Sequence, residues 1–167
     1  SDRDCLRALG PVLGQEATPI WHQDTDLQGC DCIVLPGGFS YGDYLRAGAI
    51  ARFAPVMGAI KAFADRGGLV LGICNGFQIL LEAGMLPGAL LRNQSLEFRC
   101  VWTHLRVENA ETPFTRLCRP GQVIRIPISH GEGNYFADDE TLDRLEASHS
   151  VLLRYSDAQG NLTPEAN

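Results

Sequence analysis

The chain has 167 residues, enough for one domain with a real core. Hydrophobic residues make up 45% and charged residues 20%, a balance that argues against disorder. The formal net charge of -6 argues against nucleic acid or an anionic membrane as the main partner, because both require a basic face.

In chain order, Ser1 or Asp2 reads as the N-cap of a helix. Its apolar stripe is Cys5, Leu6, Ala8, Leu9, Val12 and Leu13, with a kink at Pro11. Residues 17–21 are predicted as a strand. Residues 31–35 read as a buried parallel strand, ended by Pro36-Gly37-Gly38. A polar, glycine-rich loop covers 39–44. Helices are expected over 47–53 and 55–65, the second opening on Pro55. A second buried strand is expected over 69–73, then a helix over 75–83 stopped at Gly84. Beyond this the pattern changes. Residues 98–107 and 122–128 alternate, which predicts an antiparallel extension of the sheet. A short helix over 138–146, a strand over 151–155 and a turn-rich end complete the chain. Strands alternating with helices predict an α/β fold with three layers, α/β/α, around a mostly parallel central sheet. Residues 1–167 are expected to form one domain.

No apolar run reaches the roughly 18 residues of a membrane span, and the polar start, Ser1-Asp2-Arg3-Asp4, does not read as a signal peptide. The six cysteines are Cys5, Cys30, Cys32, Cys74, Cys100 and Cys118. They are scattered over a chain too long for a stapled scaffold, so a reducing, cytoplasmic setting is expected, with most cysteines as small core residues. Cys30-Asp31-Cys32 lacks the second cysteine pair that would complete a metal site, and no metal is expected.

The most informative stretch is Gly72-Ile73-Cys74-Asn75-Gly76, between a buried strand and a helix. This is the pattern of a nucleophile elbow with cysteine in place of serine. So tight a turn requires small residues two before and two after the nucleophile, and strain at the nucleophile projects its side chain clear of the sheet. The helix start aims N–H groups at the sulfur, which favours the thiolate. It also places the Asn75 N–H to stabilise an oxyanion. A buried structural cysteine in an ordinary strand–helix turn is the competing reading. Leu35-Pro36-Gly37-Gly38-Phe39 lies at the carboxyl end of another parallel strand, where open α/β sheets bind ligands. It reads alone as a simple turn. Together with the elbow it points to covalent acyl transfer.

These residues resemble the class I glutamine amidotransferases. Residues 34–51, which contain Pro36-Gly37-Gly38-Phe39-Ser40-Tyr41-Gly42-Asp43-Tyr44-Leu45-Arg46-Ala47-Gly48, carry the likeness. So do Gly72-Ile73-Cys74-Asn75-Gly76-Phe77-Gln78, Leu86-Pro87-Gly88-Ala89-Leu90 and Ile126-Pro127-Ile128-Ser129-His130-Gly131-Glu132-Gly133-Asn134-Tyr135. GxCxGxQ is general to the class. The longer runs are similar to one branch, the glutaminase subunits of phosphoribosylformylglycinamidine synthase, over nearly the whole chain. The resemblance implies a flavodoxin-like fold and a thioester formed by Cys74 on the side-chain amide of glutamine. It implies an oxyanion hole from the N–H groups of Gly38 and Asn75, with Phe39 as a second candidate beside Gly38. Gly37, Phe39 and Gln78 would bind substrate, and His130 and Gly131 would contact the amino-acid end of L-glutamine. Ammonia would pass to a separate synthetase subunit, which uses ATP and Mg to make formylglycinamidine ribonucleotide from formylglycinamide ribonucleotide. A small assembly subunit is a further implied partner. No cofactor is implied for the glutaminase subunit itself.

The sequence departs from the family pattern in one respect. The family supplies its base as a His-Pro-Glu-type dyad near its C-terminus, and no such element occurs in residues 1–167. The first strand of the family fold and the C-terminal strands are likewise expected to be missing, which would make the domain truncated at both ends and the 167-residue piece inactive alone. His130-Gly131-Glu132 has His-x-Glu spacing and is a rival dyad. His149 reads as a surface residue, and His22 and His104 as solvated or satisfied strand-end residues. Two other readings stay open: a DJ-1-like or other elbow-cysteine α/β hydrolase, and a non-catalytic docking module.

Overall fold

A computed structural model describes residues 2–166, so the Ser1 N-cap reading lies outside the described residues. The chain divides into two compact units, residues 1–90 and 91–167.

In the first unit, helix α1 (Asp2–Arg7) runs into a π-helical turn, Ala8–Val12, that contains Pro11. The predicted kink is thus a change of helix type, because proline has no N–H for the α-helical ladder. Strands β1 (Cys32–Leu35) and β2 (Leu69–Gly72) pair in parallel, with Ile33 opposite Val70 and Leu35 opposite Gly72. Helix α2 (Pro55–Asp65) joins them and has proline at its first turn. Helix α3 (Asn75–Glu82) follows β2 directly and ends before Gly84. Ile33, Val56, Met57, Ile60 and Ile79 form the core of this unit. One residue of β1, three of α2 and one of α3 therefore meet around a strand–helix–strand–helix succession, the arrangement that the apolar runs predict.

Two expectations fail here. Residues 17–21 are not a strand: they run without a ladder partner, and Ile20 packs against the core cluster as an isolated anchor. Only Ala17 and Ile20 of this stretch are half-buried, and Trp21 is exposed. The predicted helix over 47–53 shrinks to a 3-10 turn, Ala51–Phe53. Gly48 sits at φ +78°, and a Cβ there would come within 2.9 Å of the backbone nitrogen of Ile79. The chain approaches α3 too closely at this point to coil regularly.

A short strand, β3 (Ala89–Leu91), crosses the boundary between the units. The second unit is built on β4 (Arg99–Val107), which is flanked by β5 (Val123–His130) and, after the short β6 (Asn134–Phe136), by β7 (Leu153–Ser156). Both pairings are antiparallel. The alternating runs are thus strands of the predicted kind, but they form a sheet of their own and do not extend the β1–β2 pair. Leu105 and Val107 are its buried apolar anchors. Helix α4 (Asp139–Ala147) is capped by the Asp138 carboxylate, which accepts the Thr141 N–H at 2.8 Å. This bond holds the Asp138 carboxyl below its usual range.

The cysteines are less buried than expected. Cys32, Cys74 and Cys100 are exposed, the other three are half-buried, and none is in a disulfide. The first half of β4 is open on both faces, which exposes Cys100 along with its neighbours. His104 lies within β4 and not at a strand end. His149 is exposed, with φ +51° at the end of α4.

Candidate functional site

The site in the first unit starts from close backbone packing. β2 ends at Gly72, and after two intervening residues α3 begins at Asn75. A Cβ on Gly72 would lie 2.8 Å from the Gly76 carbonyl, and one on Gly76 would overlap the Leu35 carbonyl. Only glycine lets strand β1, strand β2 and helix α3 approach this closely. Cys74, between them, has φ +52° and ψ −110°, a conformation that a side chain rarely takes. It is held there from both sides. The Ile73 N–H donates to the Leu35 carbonyl at 3.0 Å, and the Cys74 carbonyl accepts the N–H groups of Phe77 and Gln78. The side chain of Cys74 is exposed while Asn75 beside it is buried at 4% exposure. As the first residue of α3, Asn75 has an N–H with no acceptor inside the helix.

The glycine loop meets the same point. A Cβ on Gly37 would lie 3.3 Å from the Cβ of Cys74, so Gly37 packs directly against the cysteine. Gly38 follows at φ +138°, and Phe39 is exposed. Beyond them a polar network joins the loop to the helix. The Asp43 carboxylate accepts the Ser40 N–H at 2.6 Å, the Gly48 N–H at 2.8 Å and the Asn75 side-chain amide at 2.7 Å. The Ser40 hydroxyl donates to Asn75 Oδ1 at 2.5 Å. Asn75 also donates to Gln78 Oε1 at 3.1 Å. Further along, the Arg46 guanidinium binds the Glu82 carboxylate at 2.6 Å, and Arg52 donates to the Glu82 carbonyl. The long run 34–51 is therefore a strap laid along α3. Ser40, Asp43 and the Asn75 side chain were not singled out from the sequence, although all three lie in the runs that carried the resemblance.

His130 and Gly131 belong to the second unit. His130 ends β5, and its ring is fixed by Asn93, which is 7% exposed. Asn93 Nδ2 donates to the carbonyls of Glu97 and His130, at 2.8 and 2.9 Å. Asn93 Oδ1 accepts the Gly133 N–H at 3.0 Å and lies 2.9 Å from His130 Nδ1. With the amide oxygen as acceptor, His130 carries its proton on Nδ1. Nε2 is then a lone pair, buried and without a partner among the described residues. Burial pushes the imidazole below its ordinary range, since a proton on Nε2 would be a buried donor with nothing to accept it. The contact on the Nδ1 side of the ring is to Asn93. Asn93 carried no signal in the sequence beyond being one polar residue in a polar stretch.

Among the described residues, no group of three or more His, Cys, Asp or Glu side chains is placed to hold a metal ion. No helix among them is long and apolar enough to cross a membrane.

A positive-φ cysteine on a glycine-packed strand–helix turn, with a second glycine loop packed against it, defines a cysteine elbow of the amidotransferase kind. The model of the CobB/CobQ-like glutamine amidotransferase domain matches residues 14–167, and the chain belongs to that family. Within it the particular relatives are the PurQ subunits of phosphoribosylformylglycinamidine synthase. The chain is 64% identical over 166 residues to that subunit of Moorella thermoacetica, covering 99% of this chain and 70% of the relative. It is 59% identical to that of Salinibacter ruber, with 99% and 71% covered. A solved structure of PurLQS from Thermotoga maritima superposes with a TM-score of 0.78 at 50% identity, covering 82% of this chain and 64% of that one. These likenesses make the chain a glutaminase-type amidotransferase of purine biosynthesis and favour that reading over the DJ-1-like one.

Proposed function

We propose that the Cys74 sulfur attacks the side-chain amide carbon of glutamine. A carbon–sulfur bond forms, the carbon–nitrogen bond breaks, and ammonia leaves with a proton gained at nitrogen. Water then cleaves the thioester to glutamate and restores the thiol. The tetrahedral oxyanion of each step is held by the N–H groups of Asn75 and Gly38, with Phe39 the alternative to Gly38. Gly37 and Gln78 shape the side-chain end of the substrate site with Phe39, and His130 and Gly131 contact the amino-acid end of glutamine. Proton transfers to ammonia and from water need a general base. The family resemblance puts that base on a dyad that residues 1–167 do not contain.

Ammonia is delivered to a synthetase subunit, which consumes ATP with Mg to convert formylglycinamide ribonucleotide to the formylglycinamidine. A small third subunit assists assembly, and the setting is cytoplasmic. No cofactor is required by the glutaminase chain.

The observation that carries this reading is the backbone of Cys74, held at positive φ directly against Gly37. Cys74→Ala in the assembled enzyme should abolish glutamine-dependent synthesis and leave ammonia-dependent synthesis intact, because free ammonia bypasses the thioester. Equal loss of both activities would count against a dedicated glutaminase role.

A further inference from the structure

The Ser40–Asp43–Asn75 network lies outside the chemistry assigned so far. It joins the two segments that supply the proposed oxyanion donors. Ser40 directly follows Phe39, and Asn75 directly follows Cys74. One carboxylate oxygen of Asp43 receives both the Ser40 N–H and the Asn75 amide, while its other oxygen receives the Gly48 N–H. The Ser40 hydroxyl closes the ring onto Asn75 Oδ1. Every donor and acceptor in this ring has one sensible direction. Asp43 only accepts, the backbone N–H groups only donate, and the Asn75 amide does both.

We propose that Asp43 is a positioning residue that sets the separation of the two oxyanion arms, the Gly38–Phe39 backbone and the Asn75 backbone. This rests on the reading of those N–H groups as the oxyanion hole. An oxyanion hole works when its donors are already aimed at the position of the developing charge. Here one arm is a glycine loop, which by itself has wide conformational freedom. Asp43 removes that freedom by tying the loop at two backbone positions, Ser40 and Gly48, and to the buried Asn75 side chain.

The test is Asp43→Asn in the assembled enzyme. The variant keeps the size of the side chain, but whichever way its amide turns, its NH2 group faces a donor. Turned one way it opposes Gly48, and turned the other it opposes Ser40 and Asn75. Glutamine-dependent kcat should fall about 10- to 100-fold, short of the roughly 10²- to 10³-fold cost of deleting an oxyanion donor outright. KM for glutamine should stay within about threefold, since the donors act in the transition state and not in ground-state binding. The rate of Cys74 alkylation by iodoacetamide should be unchanged, because that displacement forms no oxyanion. Ser40→Ala, which deletes one hydroxyl and leaves the Asp43 contacts, is the milder variant and decides the matter if Asp43→Asn does not fold. It should lower kcat in the same direction, again with alkylation unchanged. Unchanged kcat overturns the proposal, and so does a fall in kcat matched by an equal fall in alkylation, which would make the ring a support for Cys74 itself. Survival of glutamine-dependent synthesis in Cys74→Ala is a separate result. It would sink the underlying function while leaving the geometry of the ring untouched.

Discussion

Cys74 and His130 are both held in one orientation, but by different kinds of constraint. Around Cys74 the constraint is steric and runs through the main chain. Gly72, Gly76 and Gly37 let three backbone segments come together, and the cysteine takes a conformation that the surroundings leave no room to relax. Around His130 the constraint is a set of hydrogen bonds through a single buried amide, Asn93. The first kind fails through a single added carbon atom. The second fails through the loss of one functional group, and it can be tuned by protonation. The proposed nucleophile, which must stand at a fixed place, suits the first. A residue whose proton must sit on a chosen nitrogen suits the second.

The comparison can be broken most severely at Gly76. Gly76→Ala puts a methyl group into the Leu35 carbonyl, and neither backbone segment can move without opening the β1–β2–α3 packing. A destabilisation above about 4 kcal/mol is expected, in the range reserved for severe core or backbone conflict. Loss of soluble, cooperatively melting protein would show it. Near-normal chemical denaturation of Gly76→Ala would mean that the elbow is not held by backbone contact.

A smaller effect is expected at Asn93. Asn93→Ala removes the partner of two carbonyls, one backbone N–H and the His130 ring in a buried place. Unsatisfied buried groups of this kind cost about 1–3 kcal/mol. A urea midpoint should report that loss with the fold retained, and ring-nitrogen NMR should show His130 no longer held in the Nδ1–H form. A ring spectrum unchanged from wild type would remove Asn93 from the role assigned to it.

The mildest test is pH. Burial lowers the folded-state pKa of His130 below the unfolded value of about 6.5. The unfolded chain then binds the proton more readily, so this residue's contribution to stability is full above about pH 6.5. It declines as pH falls from there towards the folded-state pKa, and is constant below that. His130→Gln should flatten the acid side of the stability profile between neutral and mildly acidic pH. Parallel profiles for the two proteins, measured by urea denaturation, would show that His130 is not desolvated in solution.

Local information made the first site readable. The elbow needs small residues at two positions relative to Cys74, a strand before it and a helix after it, and all of these are neighbours in the chain. The parallel strand pair, α2 starting on Pro55 and α3 stopping at Gly84 were readable for the same reason: period, cap and breaker act within a few residues. Residues 17–21 misled because a strand needs a partner, which the stretch itself cannot specify. Residues 47–53 misled because good helix formers were overruled at Gly48 by the approach of α3.

The sequence by itself determined the α/β class, the family resemblance and the cysteine at the strand–helix turn. Tertiary structure decided what the residues around that cysteine are bonded to. Asp43 meets Asn75 across 32 positions of chain and Asn93 meets His130 across 37, and in neither case does the pattern near one residue name the other. Directional bonds between distant residues are set by the packing of whole elements, and each polar side chain has many partners open to it until those elements are in place. For that reason the amide that orients His130 and the carboxylate that clamps the glycine loop became visible only in three dimensions.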